Sequence, residues 1–338
     1  MRYRIHPAYL RGMVAPIAAF LLLSFAGQAF SGGPSASENP RLSIQPRVED
    51  SGSADRTSPS IRVNSNLVLI PVTVTDQLDR LVLGLGKQHF KIYEDKVEQT
   101  ITHFASEDAP VSIGVVFDRS GSMADKLSKS REAVHQLLKA ANPEDEFLLV
   151  TFSDDPDLVV KLTRDTELIQ NRLMQTQPSG RTALLDAISV SMHEIKRAQN
   201  SRKALIIISD GGDNSSRHTV SEIKNLAREG DVQIFAIGIV DPLGQFGQTM
   251  GDLRGKALLT EIASQSGGRL FEVHNVNELP EIASKIGTAL RNTYMLGYAP
   301  VNLRRDGKYH RVQLKLANPK GAPRLRASWR LGYYAPAQ

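Results

Sequence analysis

From residue 111 to about residue 290, short apolar runs alternate with stretches whose apolar positions recur at helical spacing. Val111 to Phe117, Glu146 to Phe152, Ala204 to Ser209, Val232 to Ile239 and Arg269 to Val273 read as strands. Nearly continuous apolar runs of this length suit strands buried on both faces. Leu158 to Leu162 reads as a short strand, antiparallel to its neighbour. Helices are expected over Lys126 to Ala141, with Leu127, Val134, Leu137 and Leu138 on one face, and over Thr166 to Met174. A longer one covers Thr182 to Ala198, with Leu184, Leu185, Ile188, Met192 and Ile195 apolar. Thr219 opens another as a capping box with Glu222, and Gly230 closes it. Two more run near Lys256 to Ser266 and Glu278 to Thr288. The alternation predicts an α/β fold: a doubly wound, mostly parallel, Rossmann-like sheet with helices on both faces.

On either side the period changes to two. Leu67 to Ile70, Val72 to Thr75, Phe90 to Asp95 and Ile101 to Phe104 read as strands. Pro71 places its strand at an edge or a bulge. After the α/β part, Tyr294 to Tyr298, Tyr309 to Leu316 and Arg324 to Tyr333 read as strands, with turns at Asp306-Gly307 and Pro319-Lys320-Gly321. Neither flank has enough strands for a stable core alone, and domain termini often lie close together. The N-terminal β segment, 61–108, is therefore expected to pack with the C-terminal one, 293–338, as one small β unit around a central domain at 109–292.

The start of the chain reads differently. Arg2, Arg4 and Arg11 precede an apolar run from Met13 to Phe25, with small residues after it. This predicts a secretory signal peptide over residues 1–29, cleaved near Ala29, with an uncleaved anchor as the alternative. Residues 30–60 are rich in Ser, Pro, Gly and Asn and read as a disordered linker. The chain has no cysteine, which excludes a lipoprotein anchor, disulfides and thiolate metal sites. Its net charge of +5 falls to +2 once the three arginines of the signal are set aside. So near-neutral a mature protein, exported, gives no support for nucleic-acid binding, and no transmembrane span is expected after cleavage. The tail after Val301 carries nine Lys or Arg and one Asp. Charged strand edges account for this; a surface for an anionic envelope polymer is the functional alternative.

Candidate chemistry sits where strands end. The run Val115-Val116-Phe117 stops at Asp118, and Ser120 and Ser122 follow around Gly121. One carboxylate and two hydroxyls make a hard oxygen set, suited to Mg²⁺, Ca²⁺ or Mn²⁺. By itself the triplet reads first as a Ser/Gly turn capping a helix. Ser179-Gly180-Arg181-Thr182 precedes the longest helix, where Thr182 is a hydroxyl at the helix entry or a plain N-cap. The strand Leu205 to Ile208 ends in Ser209-Asp210-Gly211-Gly212-Asp213-Asn214, so Asp210 faces the same sheet edge as Asp118.

Together the three clusters resemble the von Willebrand factor type A domain. Its metal-ion-dependent adhesion site reads Asp-x-Ser-x-Ser, then a Thr on a second loop, then an Asp after a later core strand. Asp118, Ser120, Ser122, Thr182 and Asp210 match those positions in order. The flanks are similar to those of a bacterial exported family related to it, through Phe-x-Ile-x-Glu-Asp before the domain and Leu-Gly-Tyr-Tyr-Ala-Pro after it. The resemblance implies adhesion: a divalent cation held by the five residues, with a coordination position open to an Asp or Glu carboxylate of a protein partner. Asp213 and Asn214 are then either supports of the site or solvated loop residues.

Enzyme readings fare worse. A haloacid dehalogenase-type phosphotransferase would want a second Asp where Ser120 stands. Neither a P-loop nor a Gly-x-Ser-x-Gly elbow occurs, and Gly84-Leu85-Gly86 lacks the third glycine of a dinucleotide fingerprint. The histidines are scattered without ligand spacing and read as surface or core filler. The chain is expected not to be an enzyme. A structural envelope protein with a stabilising metal is the main rival to adhesion, and a metal-dependent hydrolase a weaker one.

Overall fold

The computed structural model describes residues 67–337 except 107, 211, 241–249, 303–304 and 320–323. The signal and linker expected over 1–60 lie outside the described residues. In chain order, β1 (Val68–Thr75), β2 (Phe90–Glu94), β3 (Val97–Gln99) and β4 (Ile101–Ala105) come first. The α/β part follows as β5 (Val111–Asp118), α1 (Leu127–Lys139), β6 (Glu146–Phe152), β7 (Pro156–Thr163), α2 (Thr166–Met174) and α3 (Leu184–Ile195). It continues through β8 (Arg202–Ser209), α4 (Val220–Glu229), β9 (Gln233–Ile239), α5 (Met250–Ser266), β10 (Leu270–Val273) and α6 (Leu279–Arg291). The chain then returns to strands β11 (Tyr294–Tyr298), β12 (Tyr309–Leu316), β13 (Arg326–Trp329) and β14 (Gly332–Tyr334).

The central sheet has the order β10-β9-β8-β5-β6-β7. All neighbours are parallel except β7, which runs antiparallel to β6. Every residue of β5 is buried, because helices cover both faces. Val115 and Phe117 pack in the cluster that α1, α2 and α6 complete with Leu137, Leu173 and Ile286. Val116, one position on and so on the other face, packs with Leu148, Ile207 and residues of α3, α4 and α5 such as Ile188, Ile223 and Ile262. This two-sided burial is what the continuous apolar runs require. The helices begin where local chemistry allows: Asp165 accepts from Leu168 N–H ahead of α2, and Thr219 and Glu222 form a reciprocal capping box on α4.

The flanking strands form two four-stranded sheets, β13-β1-β11-β4 and β14-β12-β2-β3. Their shared core includes Ile70, Val72, Phe90, Ile92, Tyr294, Leu296, Tyr298 and Val312. Two details differ from the sequence reading. β1 is an interior strand despite Pro71, because Pro71 pairs with Met295 of β11 whereas β13 begins to pair only at Val72. The missing N–H therefore falls where β1 has one neighbour. Arg324 to Tyr333 is not one strand. It breaks at Arg330-Leu331, so that β13 joins β1 in one sheet and β14 joins β12 in the other. The break is anchored on the α/β core: Arg330 Nη2 donates to Arg228 O at 3.1 Å, and Leu331 N–H to Gln265 O at 3.2 Å. Among the described residues, no helix is long and apolar enough to cross a membrane.

Candidate functional site

The chain runs from β5 to β6 and β7 on one side, then crosses to β8 on the other. Open α/β sheets bind ligands at such a reversal, outside the carboxyl ends of the strands, here those of β5 and β8. Asp118 is the last residue of β5, and Asp210 follows the last residue of β8. The Asp118 carboxylate is fully buried. Its Oδ1 accepts from Ser120 N–H at 2.8 Å and its Oδ2 from Ser209 Oγ at 2.5 Å. Burial pushes its pKa up to about 6, against the hydrogen bonds from Ser120 and Ser209.

Ser120, Ser122 and Asp210 extend this set. The Ser120 and Ser122 hydroxyls are 3.2 Å apart, and Ser122 Oγ donates to Asp210 Oδ1 at 2.9 Å. Lys126 Nζ donates to Asp210 Oδ2 and also to Ser122 O at 3.2 Å. Sequence reading passed over Lys126 as the start of a helix, and nothing in its neighbours marks it out.

Thr182 is buried and enters through its loop. Ser179 N–H donates to Arg119 O at 2.8 Å and Gly121 N–H to Gly180 O at 3.0 Å, which ties the first loop to the second. Gly180 has a φ of +74°, the left-handed region that favours glycine over any residue with a Cβ. Thr182 N–H donates to Asn214 Oδ1 at 2.9 Å, and Thr182 O accepts from Asn214 and Ser215 N–H. Asp213 accepts from Leu185 N–H at 3.2 Å at the start of α3. Asp213 and Asn214 thus brace the second loop against the third, while Asn214 itself stays exposed. Gly211 lies outside the described residues.

The donor set is made of carboxylate and hydroxyl oxygens at a desolvated sheet edge, chemistry that fits a hard divalent cation. Asp118, Ser120, Ser122 and Asp210 form one hydrogen-bonded group, and Thr182 is on the loop tied to it. A cavity of about 380 Å³ lies elsewhere. It is lined by Arg202 and Gln233, at the amino ends of β8 and β9, and by Arg330 and Tyr333. None of the five candidate residues lines it.

Two further clusters join residues that the sequence kept apart. His218 Nδ1 is 2.6 Å from Asp186 Oδ1, and its Nε2 is 3.2 Å from Ser189 Oγ. The connectivity is that of a nucleophile triad, but Ser189 is 3% exposed inside α3, beyond reach of a substrate carbonyl. Burial pushes the Asp186 carboxyl up, but backbone N–H groups of His218 and Arg217 with the His218 ring hold it below its ordinary value. Asp186 therefore anchors the turn before α4. In the β unit, ligand atoms of Glu94, Asp95 and His310 lie within 4.8 Å of one another, a spacing that could hold a metal. His310 Nδ1 is 2.8 Å from Asp95 Oδ2, and its Nε2 is 3.4 Å from Asp306 Oδ1. Both ring nitrogens thus face carboxylates, as in an ion-pair clasp. The register of β2 with β12 brings these residues together, which local spacing did not reveal.

The chain matches the von Willebrand factor type A domain over residues 112–285, just over half its length, and belongs to that family. Such domains typically bind proteins. It is 25% identical over 188 residues to an uncharacterized protein of Borreliella burgdorferi, covering 49% of this chain and 55% of that one. It is 24% identical over 221 residues to inter-alpha-trypsin inhibitor heavy chain H4 of Homo sapiens, covering 57% of this chain and 23% of that one. The chain thus spans about half or less of these relatives. Among solved structures, a von Willebrand factor type A protein from Catenulispora acidiphila aligns with a TM-score of 0.47 at 14% identity, over 81% of this chain and 75% of that one.

Proposed function

We propose that the protein is an exported, metal-dependent binding module that captures an acidic side chain of a protein partner and has no catalytic turnover. Asp118, Ser120, Ser122, Thr182 and Asp210 would hold the cation, Mg²⁺ with Mn²⁺ or Ca²⁺ as alternatives. The observation that carries the reading is the joining of three loops at the β5–β8 switch, with the two carboxylates linked through Ser120 and Ser122. A divalent cation bound there supplies a Lewis-acidic point that an outside carboxylate can share.

The chain's own residues do the rest. Ser209 and the Ser120 amide aim the buried Asp118 carboxylate and offset its desolvation. Ser122 orients Asp210. Asn214 fixes the backbone of Thr182. No His or Cys lies within the three motifs to move a proton or attack a substrate, which favours binding over turnover. Export is supported by the basic start and apolar run of residues 1–29.

Calorimetry and partner capture test this together. Wild type should bind Mg²⁺ or Mn²⁺, and Asp118→Ala should not. Chelation or Thr182→Ala should weaken capture of the native partner while circular dichroism stays unchanged. Equal metal affinity in wild type and Asp118→Ala would remove the site. Capture indifferent to chelation would leave the metal a structural role, and turnover of a phosphoester or peptide would make the protein an enzyme.

A further inference from the structure

Lys126 is placed where a cation is least favoured by its own helix. It is the residue before α1 and makes no side-chain cap. Ser, Thr, Asp and Asn are the usual occupants of that position, since the positive end of the helix dipole favours oxygen acceptors and anions. A lysine at such a point normally extends into water. Here its side chain is only 19% exposed, and the carboxylate it meets, Asp210, is 2% exposed. The ammonium touches Asp210 Oδ2 and the Ser122 carbonyl, while Ser122 Oγ takes Asp210 Oδ1. Both oxygens of one candidate ligand are thereby occupied from within the chain.

The charges explain the arrangement. Asp118 and Asp210 bring two negative charges to a desolvated edge, which is costly unless a cation balances them. An ammonium and a divalent ion cannot both hold Asp210 Oδ2 at contact distance without strong mutual repulsion. Nor is the pair a surface salt bridge of little consequence, since water screens it only slightly.

We propose that Lys126 is a tethered counter-cation of this site: it holds Asp210 when no metal is bound, and it must yield Asp210 before a divalent cation can bind. Lys126 thereby sets the metal affinity below what the oxygen ligands alone would give. The inference rests on the metal reading of the preceding subsection. It assigns a regulatory role to a residue outside the five ligands.

Lys126→Met keeps the unbranched stem of the side chain up to Cε and removes the charge, and Lys126→Arg keeps the charge. Mn²⁺ titration of the full chain, by calorimetry, should give Lys126→Met an affinity about tenfold tighter than wild type, one charge-assisted contact's worth. Lys126→Arg should stay near wild type. In chelator, Lys126→Met should melt at a lower temperature than wild type, because the carboxylates lose their internal partner. Saturating Mn²⁺ should remove that difference. Equal or weaker Mn²⁺ binding by Lys126→Met, with wild type binding the ion, overturns the inference and leaves the metal reading in place. Binding by neither protein overturns the metal reading, and this inference with it.

Discussion

At the scale of single residues, the site depends on how its carboxylates are held. Asp118 is buried with each oxygen engaged by a serine-derived donor, Ser120 N–H and Ser209 Oγ. Groups that orient a ligand without touching the metal commonly contribute about 10–100-fold to affinity. Ser209→Ala should therefore weaken Mn²⁺ binding at least about tenfold, near the low end of that range, and do so with the fold intact by circular dichroism. Unchanged affinity would mean that the backbone alone positions Asp118. Asp118, Thr182 and Asp210 were legible as candidates at strand ends and a helix entry, and the set of five with Ser120 and Ser122 became legible only through the resemblance to the von Willebrand factor type A domain. Ser209 and Lys126 were not. Their roles follow from a contact across 91 and 84 positions of sequence, respectively, and no local pattern encodes such a contact.

At the scale of elements, the β strands outside the central sheet are held by polar clasps as well as by their core. His310 at the start of β12 faces Glu94 at the end of β2, Asp95 just after it and Asp306 from its own side, and it stacks on Tyr333 of β14 at 5.7 Å. Burial pushes the imidazole down, but hydrogen bonds to Asp95 and Asp306 and the nearby carboxylates more than offset it, leaving the pKa above 6.5. The folded protein therefore holds this proton more tightly than the unfolded chain. The clasp contributes fully below the ordinary histidine value, and its contribution is lost as pH rises through the elevated folded value. Denaturation from about pH 6 to about pH 9 should show wild type losing stability over that window, by at most about 1.4 kcal/mol per pH unit from this group. His310→Gln should lack that component. An identical slope in both proteins would show that the clasp does not titrate as argued. The sequence placed His310 in a strand, but only the pairing of Val312 with Glu94 brings it beside those carboxylates.

At the scale of the whole molecule, the C-terminal strands tie the N-terminal ones to the α/β core. β1 lies between β11 and β13, both of which come from the end of the chain. Arg202 Nη1 donates to Arg291 O at 2.8 Å where α6 passes into β11, and the segment around Arg330 docks on α4 and α5. Removing residues 292–338 would strip β1 of both neighbours and expose Ile70, Val72 and Val74. Limited proteolysis should therefore leave residues 67–105 protected in the full chain and cut them rapidly in the truncated one. Release of that segment from the full chain, with the tail undisturbed, would contradict this coupling.

The sequence by itself determined the elements of the α/β part, their order and the two-sided burial of the central strands. It also marked the strand ends where carboxylates and hydroxyls gather. These features are local: period, capping residues and turn glycines act within a few positions of one another. It did not determine that β1 would be an interior strand, that Arg324 to Tyr333 would divide between two sheets, or that Lys126 would reach Asp210. Strand partners and ion pairs between distant residues depend on which surfaces remain to be covered once the core has formed. Pro71 shows the reason most directly. A proline forbids a hydrogen bond on one side of a strand, but only the tertiary arrangement decides how far along that side the neighbouring strand extends.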